Sequence, residues 1–358
     1  MRYARHIALA EVGESGQQKL LNAKVLVIGA GGLGCPALQY LTAAGVGTIG
    51  IVDGDTVEES NLQRQILYAT SDIGRLKVEA AKERLNALNP AISVSIYPEN
   101  IHAQNALEII QDYDFVLDGT DNFAARYLVN DACVKLNKPF VYGAIHKFEG
   151  QVSVFNFNGG PTYRCLFQEN PQQKQIPNCE EVGVLGVLPG VIGTLQATEV
   201  IKLILGIGEP LSGKLKLINL LTNTEQIIAF SRNEEQVSKA MKIDLSESYI
   251  DESCGIQESI LPNELISWLE ENRSINILDV REAYETPKLN HPNVISIPLG
   301  QIPHRAAEIP TNKQLVVVCQ HGIRSQHAIE FLKQHDFPNQ LINLEGGMAA
   351  FHHHNVTA

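Results

Sequence analysis

Two groups of residues in this 358-residue chain have the types and spacing that chemistry requires. The first opens on Gly29-Ala30-Gly31-Gly32-Leu33-Gly34, where Gly29, Gly31 and Gly34 form G-x-G-x-x-G between a short β-branched run and a helical stretch. Such a turn lets the backbone approach a phosphate while the following helix directs its N-terminus at the anion. Asp53 closes the next apolar run, where a carboxylate can hold ribose hydroxyls. By itself this pattern predicts a nicotinamide dinucleotide. Asn61-Leu62-Gln63-Arg64-Gln65 and, one helix on, Lys77 shift the reading, because cations there suit phosphoryl and pyrophosphate charge and hydride transfer has no need of them. Gly119-Thr120-Asp121-Asn122 adds a carboxylate at a strand's carboxyl end, where Mg²⁺ would bridge phosphates. The set therefore reads as ATP plus Mg²⁺. Gly29, Gly31, Gly32, Gly34, Asp53, Asn61, Arg64, Gln65, Lys77, Asp121 and Asn122 are the expected nucleotide contacts, with Arg64, Lys77 and Asp121 also catalytic. The bland alternative is solvated helix residues at 64 and 77 and a helix cap at 121.

The second group is Cys319-Gln320-His321-Gly322-Ile323-Arg324-Ser325, after an apolar strand and before a helix. Backbone N–H groups and a helix N-terminus converge on a cysteine so placed, and Arg324 adds a cation, so a thiolate or persulfide anion is stabilised there. A buried strand-end cysteine is the competing reading. The six cysteines, at 35, 133, 165, 179, 254 and 319, are too dispersed for a disulfide framework.

These groups must be positioned by an alternation of β-branched runs with amphipathic helices, which predicts an α/β fold. Strands are expected at 25–28, 48–52, 94–97, 115–117 and 140–142, and helices at 33–44, 77–88, 103–111 and 125–137. Antiparallel strands at 151–157, 214–219 and 225–230 and an apolar helix at 190–205 complete a Rossmann-like mixed sheet with helices on both faces. Periodicity fades among charged residues after 231, which predicts a first domain over 1–235, a linker over 236–255 and a smaller α/β domain over 256–358. The formal net charge of -12 excludes a nucleic-acid footprint. No basic segment followed by an apolar core opens the chain, so a cytoplasmic protein is expected. The apolar stretch 187–207 is interrupted by Gln196, Glu199 and Lys202 and reads as a buried helix, not a membrane span.

Arg2-Tyr3-Ala4-Arg5, the glycine turn, Asp53-x-Asp55, Ser60-Asn61-Leu62-Gln63-Arg64-Gln65, Gly74-Arg75-Leu76-Lys77 and Thr120-Asp121-Asn122 together resemble the molybdopterin-synthase and thiamine sulfur-carrier adenylyltransferase family, relatives of ubiquitin-activating enzymes, over about residues 2–230. The resemblance implies adenylation of the C-terminal carboxylate of a ubiquitin-like sulfur carrier ending in Gly-Gly. It assigns the ribose to Asp53, the phosphates to Asn61, Arg64 and Lys77, and Mg²⁺ to Asp121. Arg5 would reach the triphosphate of a neighbouring subunit, which implies a homodimer. Relatives bind zinc through two C-x-x-C pairs; here Cys165 alone remains of the first and the second is absent, so no zinc is expected and Cys165 reads as a buried remnant. Cys179 matches a position where relatives place a cysteine that attacks the adenylate or resolves a later disulfide.

The Cys319 loop, with Leu278-Asp279-Val280-Arg281-Glu282 and Glu345-Gly346-Gly347-Met348-Ala349-Ala350-Phe351, resembles the rhodanese family over 256–354. Its six-residue loop is the sulfur-transferring kind, one residue shorter than the related phosphatase loop. The resemblance implies a persulfide on Cys319, loaded by a donor such as a cysteine desulfurase or thiosulfate. The joint expectation is adenylation of the carrier followed by sulfur transfer to a thiocarboxylate. The rivals are adenylation for protein conjugation without sulfur, an NAD-dependent oxidoreductase, and a non-catalytic scaffold.

Overall fold

A computed structural model describes residues 2–168, 183–245, 258–320, 322–335 and 337–355. The chain divides into two units, Met1–Asp251 and Glu252–Ala358.

The first unit is built on eight strands: β1 (Lys24–Ile28), β2 (Thr48–Val52), β3 (Ser93–Tyr97), β4 (Phe115–Asp118), β5 (Phe140–His146), β6 (Glu149–Phe155), β7 (Lys214–Asn219) and β8 (Thr224–Ala229). Their order is β3-β2-β1-β4-β5-β6-β7-β8. The first five in that order pair in parallel and the last three join antiparallel. Strand β1 is apolar on both faces, as a parallel strand between two helical layers must be. Val25 and Val27 enter the core beneath the helices Gly34–Ala44 and Val187–Leu205, while Leu26 and Ile28 enter the opposite core with Tyr127 and Leu128 of helix Phe123–Lys135. Chain progression runs outward from β1 through β2 and β3, then resumes on the other side at β4. This reversal opens a crevice at the carboxyl ends of β1 and β4.

Helix Val187–Leu205 is long and apolar enough to cross a membrane by composition. Here its Leu188, Ile192 and Val200 are buried in the core, and the buried Gln196 side chain donates from Nε2 to the Asp118 carbonyl at 2.6 Å. The span expected to be linker from 236 instead begins inside helix Glu234–Lys242. Asn233 caps it, its Oδ1 accepting from the Glu235 and Gln236 N–H groups at 3.0 and 3.3 Å. Val237 and Ala240 pack against Val134 and Cys165. Two buried apolar positions among charged ones are too few for the sequence pattern to announce this helix.

In the second unit five parallel strands, β9 (Glu258–Ile260), β10 (Ile275–Asp279), β11 (Val294–Ser296), β12 (Gln314–Val318) and β13 (Leu341–Leu344), lie in the order β11-β10-β12-β13-β9. Leu315 and Val317 face one core with Ala328 and Ile329, and Val316 and Val318 face the other with Ile277 and Phe351. The edge strands β9 and β11 have three residues each, too short to show a period of two.

Gly29 has φ +92°, and a Cβ on Gly34 would stand 1.9 Å from the Gly29 carbonyl oxygen. Gly34→Ala should therefore destabilise the first unit by about 2–3 kcal/mol in chemical denaturation. Gly31→Ala, where a Cβ would meet the Gln65 Nε2 at 3.8 Å, should stay within about 0.5 kcal/mol of wild type. Equal losses for the two variants would contradict this account of the turn.

Candidate active site

The glycine turn is held by its second residue. Ala30 donates its N–H to Asp53 Oδ2 at 2.8 Å, and its carbonyl accepts from the Tyr68 hydroxyl at 2.8 Å. Asp53 Oδ1 accepts the Asp55 N–H at 2.9 Å, so the aspartate expected to hold ribose also braces the turn, and each oxygen keeps a second lone pair. Lys77, at the start of helix Lys77–Leu88, is buried, and its Nζ pairs with Asp55 Oδ2 at 2.7 Å. Burial opposes the charge on Lys77, but the Asp53 and Asp55 carboxylates outweigh it and leave its pKa raised. Burial likewise raises the Asp53 pKa, against the pull of Lys77. The crevice thus contains a firm cation next to the phosphate-type turn.

Asn61 is buried, with Oδ1 accepting the Glu58 N–H at 3.2 Å, and Arg64 is half-buried, donating from Nη1 to the Ser60 carbonyl at 3.0 Å. Gln65 is buried beside Gly31, and its Oε1 has no partner among the described residues, an acceptor that fits a ligand's donor. Asp121 is exposed past β4, and Asn122 beside it is the N-cap of helix Phe123–Lys135, its Oδ1 accepting the Ala125 N–H at 2.8 Å. The cap belongs to Asn122, which leaves the Asp121 carboxylate available as a hard oxygen donor. The Asn122 side chain, expected among the nucleotide contacts, thus caps the helix through Oδ1. Arg5 is exposed on the short helix Ala4–Ile7.

Three buried residues were not anticipated. Asp118, wholly buried at the end of β4, accepts through Oδ1 from the Thr120 N–H and hydroxyl at 2.9 and 2.7 Å. Arg126 donates from Nη2 to the Thr120 carbonyl at 3.1 Å, and Gln196 holds the Asp118 carbonyl from the opposite layer. Together they fix the turn that presents Asp121. An aspartate ending an apolar strand and an arginine facing a core are the signals that could have found two of them.

In the second unit Cys319 directly follows β12 and is 1% exposed. The Gly322 N–H donates to Sγ at 3.1 Å, and Gly322, at φ +91°, is the N-cap of helix Ile323–Gln334. The Met348 N–H donates to the Cys319 carbonyl at 2.8 Å, tying the loop to the Glu345-Gly346-Gly347 turn. Arg324, expected to supply a cation to the sulfur, forms a bidentate pair with Glu285 at 2.6 and 2.8 Å. Burial raises the Glu285 carboxyl, but these bonds and the Glu282 N–H outweigh it and hold it below its ordinary value. Burial pushes the Cys35 thiol up to about 12 and raises that of Cys133, which removes both as nucleophiles. Cys165 is buried, its Sγ accepting from the Thr162 and Asn233 N–H groups at 3.3 Å each. Cys179 lies outside the described residues.

The ThiF family matches residues 3–239, and a rhodanese-like domain matches residues 261–354. The chain belongs to the ThiF family and carries a C-terminal rhodanese-like domain. It is 40% identical over 366 residues to a probable adenylyltransferase/sulfurtransferase MoeZ of Mycobacterium tuberculosis, covering 98% of this chain and 92% of that protein. It is 40% identical over 356 residues to the adenylyltransferase and sulfurtransferase MOCS3 of Aedes aegypti, covering 93% and 81%. A sulfur carrier protein adenylyltransferase of Thermus thermophilus is 52% identical over 237 residues, covering 65% of this chain and 88% of that protein. Among solved structures, MccB of E. coli crystallised with ATP superposes with a TM-score of 0.55 at 28% identity, covering 61% of this chain and 66% of that one. The chain is accordingly an ATP-using adenylyltransferase joined to a sulfurtransferase, and the nicotinamide reading falls with that membership.

Because Asn122 caps a helix, Asn122→Ala should cost about 1 kcal/mol in chemical denaturation while leaving ATP affinity by calorimetry within about twofold. A tenfold loss of affinity at unchanged stability would make Asn122 a nucleotide ligand instead.

Proposed function

We propose that this chain adenylates the C-terminal glycine of a ubiquitin-like sulfur carrier ending in Gly-Gly and then converts it to a thiocarboxylate with sulfur carried on Cys319. The observation that carries the reading is the buried Lys77, paired with Asp55 next to a phosphate-type glycine turn, in the same chain as a cysteine cradled by a helix N-terminus. A carboxylate oxygen of the carrier attacks the α-phosphorus of ATP, the bond to the β-phosphate bridging oxygen breaks, and pyrophosphate leaves. Positioning and charge neutralisation do most of this work. The turn's N–H groups, Asn61, Arg64 and Lys77 hold the phosphates, Gln65 offers its free acceptor to the nucleotide, and Asp53 holds the ribose. Asp121 is the oxygen donor that would hold Mg²⁺, which supplies charge neutralisation on the phosphates when bound. In a homodimer, the partner subunit's Arg5 completes the triphosphate site.

Cys319, loaded as a persulfide by a cysteine desulfurase or by thiosulfate, attacks the acyl-adenylate carbonyl through its terminal sulfur and AMP leaves. Cys179 then attacks the Cys319 sulfur of the acyl-persulfide. This step releases the thiocarboxylate and leaves a disulfide for an external thiol to reduce.

Lys77→Met should lower carrier-dependent ATP–pyrophosphate exchange by about 10²–10³-fold. Cys319→Ala should keep that exchange and form no thiocarboxylate. Full thiocarboxylate formation by the Cys319 variant would refute the route through Cys319, a carrier–protein amide formed in place of thiocarboxylate by the wild type would favour conjugation, and exchange that needs no carrier would refute the substrate.

A further inference from the structure

Strand β13 reads Leu341-Ile342-Asn343-Leu344, an amide in the middle of an apolar strand, and Asn343 is 2% exposed. Burying an amide costs free energy unless it is hydrogen-bonded, so its partner identifies its role. That partner is Ser325, wholly buried in the first turn of helix Ile323–Gln334, whose hydroxyl donates to Asn343 Oδ1 at 2.6 Å. The same Ser325 oxygen lies 3.3 Å from Cys319 Sγ and 2.9 Å from the Gly322 carbonyl. We propose that Ser325 is a catalytic residue of the sulfur-transfer step, a hydroxyl that hydrogen-bonds the Cys319 sulfur when it is an anion, and that Asn343 is the positioning residue that aims it. The proposal rests on the reading of Cys319 as the sulfur carrier.

With the thiol protonated, S–H donates to the Ser325 oxygen and the hydroxyl donates onward to Asn343. When the thiol loses its proton to solvent, the hydroxyl turns and gives its hydrogen to Sγ, joining the Gly322 N–H already at 3.1 Å. Two donors then face one buried anion, and hydrogen bonds to a charged group are the strong kind. A hydroxyl suits this switch because it both donates and accepts. Charged and titratable groups on the surrounding elements include Asp279, Arg281, Glu285, Arg324, His327 and Glu345; His321 of the loop itself lies outside the described residues. Arg281 pairs with Asp279 at 2.9 Å, and Arg324 with Glu285. Each guanidinium therefore has a carboxylate of its own, and among the described residues the short contacts to Sγ are the neutral ones from Gly322 and Ser325.

The test is the pH dependence of iodoacetamide labelling at Cys319 in the full chain, followed by mass spectrometry of the peptide that contains it. Ser325→Ala, which removes one oxygen, should move the labelling midpoint up by about one pH unit, about tenfold in thiolate fraction at neutral pH. Asn343→Asp, an acceptor that holds the hydroxyl hydrogen to itself, should move it in the same direction. Thermal unfolding of each variant separates this shift from loss of fold; should the aspartate variant not fold, the alanine variant decides alone. A Ser325→Ala profile that superposes on wild type, in a folded protein, overturns the proposal. Failure of the underlying reading looks different: thiocarboxylate would still form in Cys319→Ala, whatever the labelling midpoint of the serine variant.

Discussion

At the carboxyl ends of β1 and β4 two backbone turns touch. A Cβ on Gly29 would stand 2.8 Å from the Gly119 carbonyl oxygen, and one on Gly34 would overlap the Gly29 carbonyl. That contact brings the phosphate-type turn and the turn bearing Asp121 into one crevice. The eight-stranded sheet supplies the reversal of strand order there, and the two helical layers bury β1 on both faces so that the turn has a rigid base. Asp53 and Tyr68 then pin Ala30 from the two sides of its peptide, while Asp118, Arg126 and Gln196 pin the partner turn from beneath. Lys77 stays charged in a buried place because two carboxylates face it.

The second unit meets a related problem with the same parts. A strand end, a left-handed glycine and a helix N-terminus converge on Cys319, as a strand end, a glycine turn and a helix N-terminus converge on the expected phosphates. In each case the stabilised species is an anion, and fixed backbone dipoles serve it without reorganising when the charge appears. A Cβ on Gly347 would come within 2.5 Å of the Cys319 and Gln320 carbonyls, so the downstream glycine turn is as much a part of the sulfur loop as the cysteine itself.

What the sequence made legible was local. The glycine turn, Asp53, Lys77 and the Cys319 loop each sit within a few residues of a strand-to-helix junction, so spacing along the chain stands in for geometry. The rest depends on residues distant in sequence. Gln196 reaches Asp118 across 78 positions, and Asn343 of β13 meets Ser325 of helix Ile323–Gln334. Helix Glu234–Lys242 is hidden from the sequence because Val237 and Ala240 are its only buried positions and charged residues surround them. Asp121 and Asn122 show how fine the limit is: sequence marked both, and the direction of one side chain separates a helix cap from an available carboxylate.

The central claim is that one chain activates a carboxylate and then delivers sulfur to it. A rapid-quench time course with ATP, carrier and protein preloaded with sulfane sulfur on Cys319 tests it most directly. The acyl-adenylate should appear first and decay at the rate at which thiocarboxylate forms, with one AMP released per thiocarboxylate. Thiocarboxylate that forms without ATP, or an adenylate that persists beside loaded Cys319, would contradict the account.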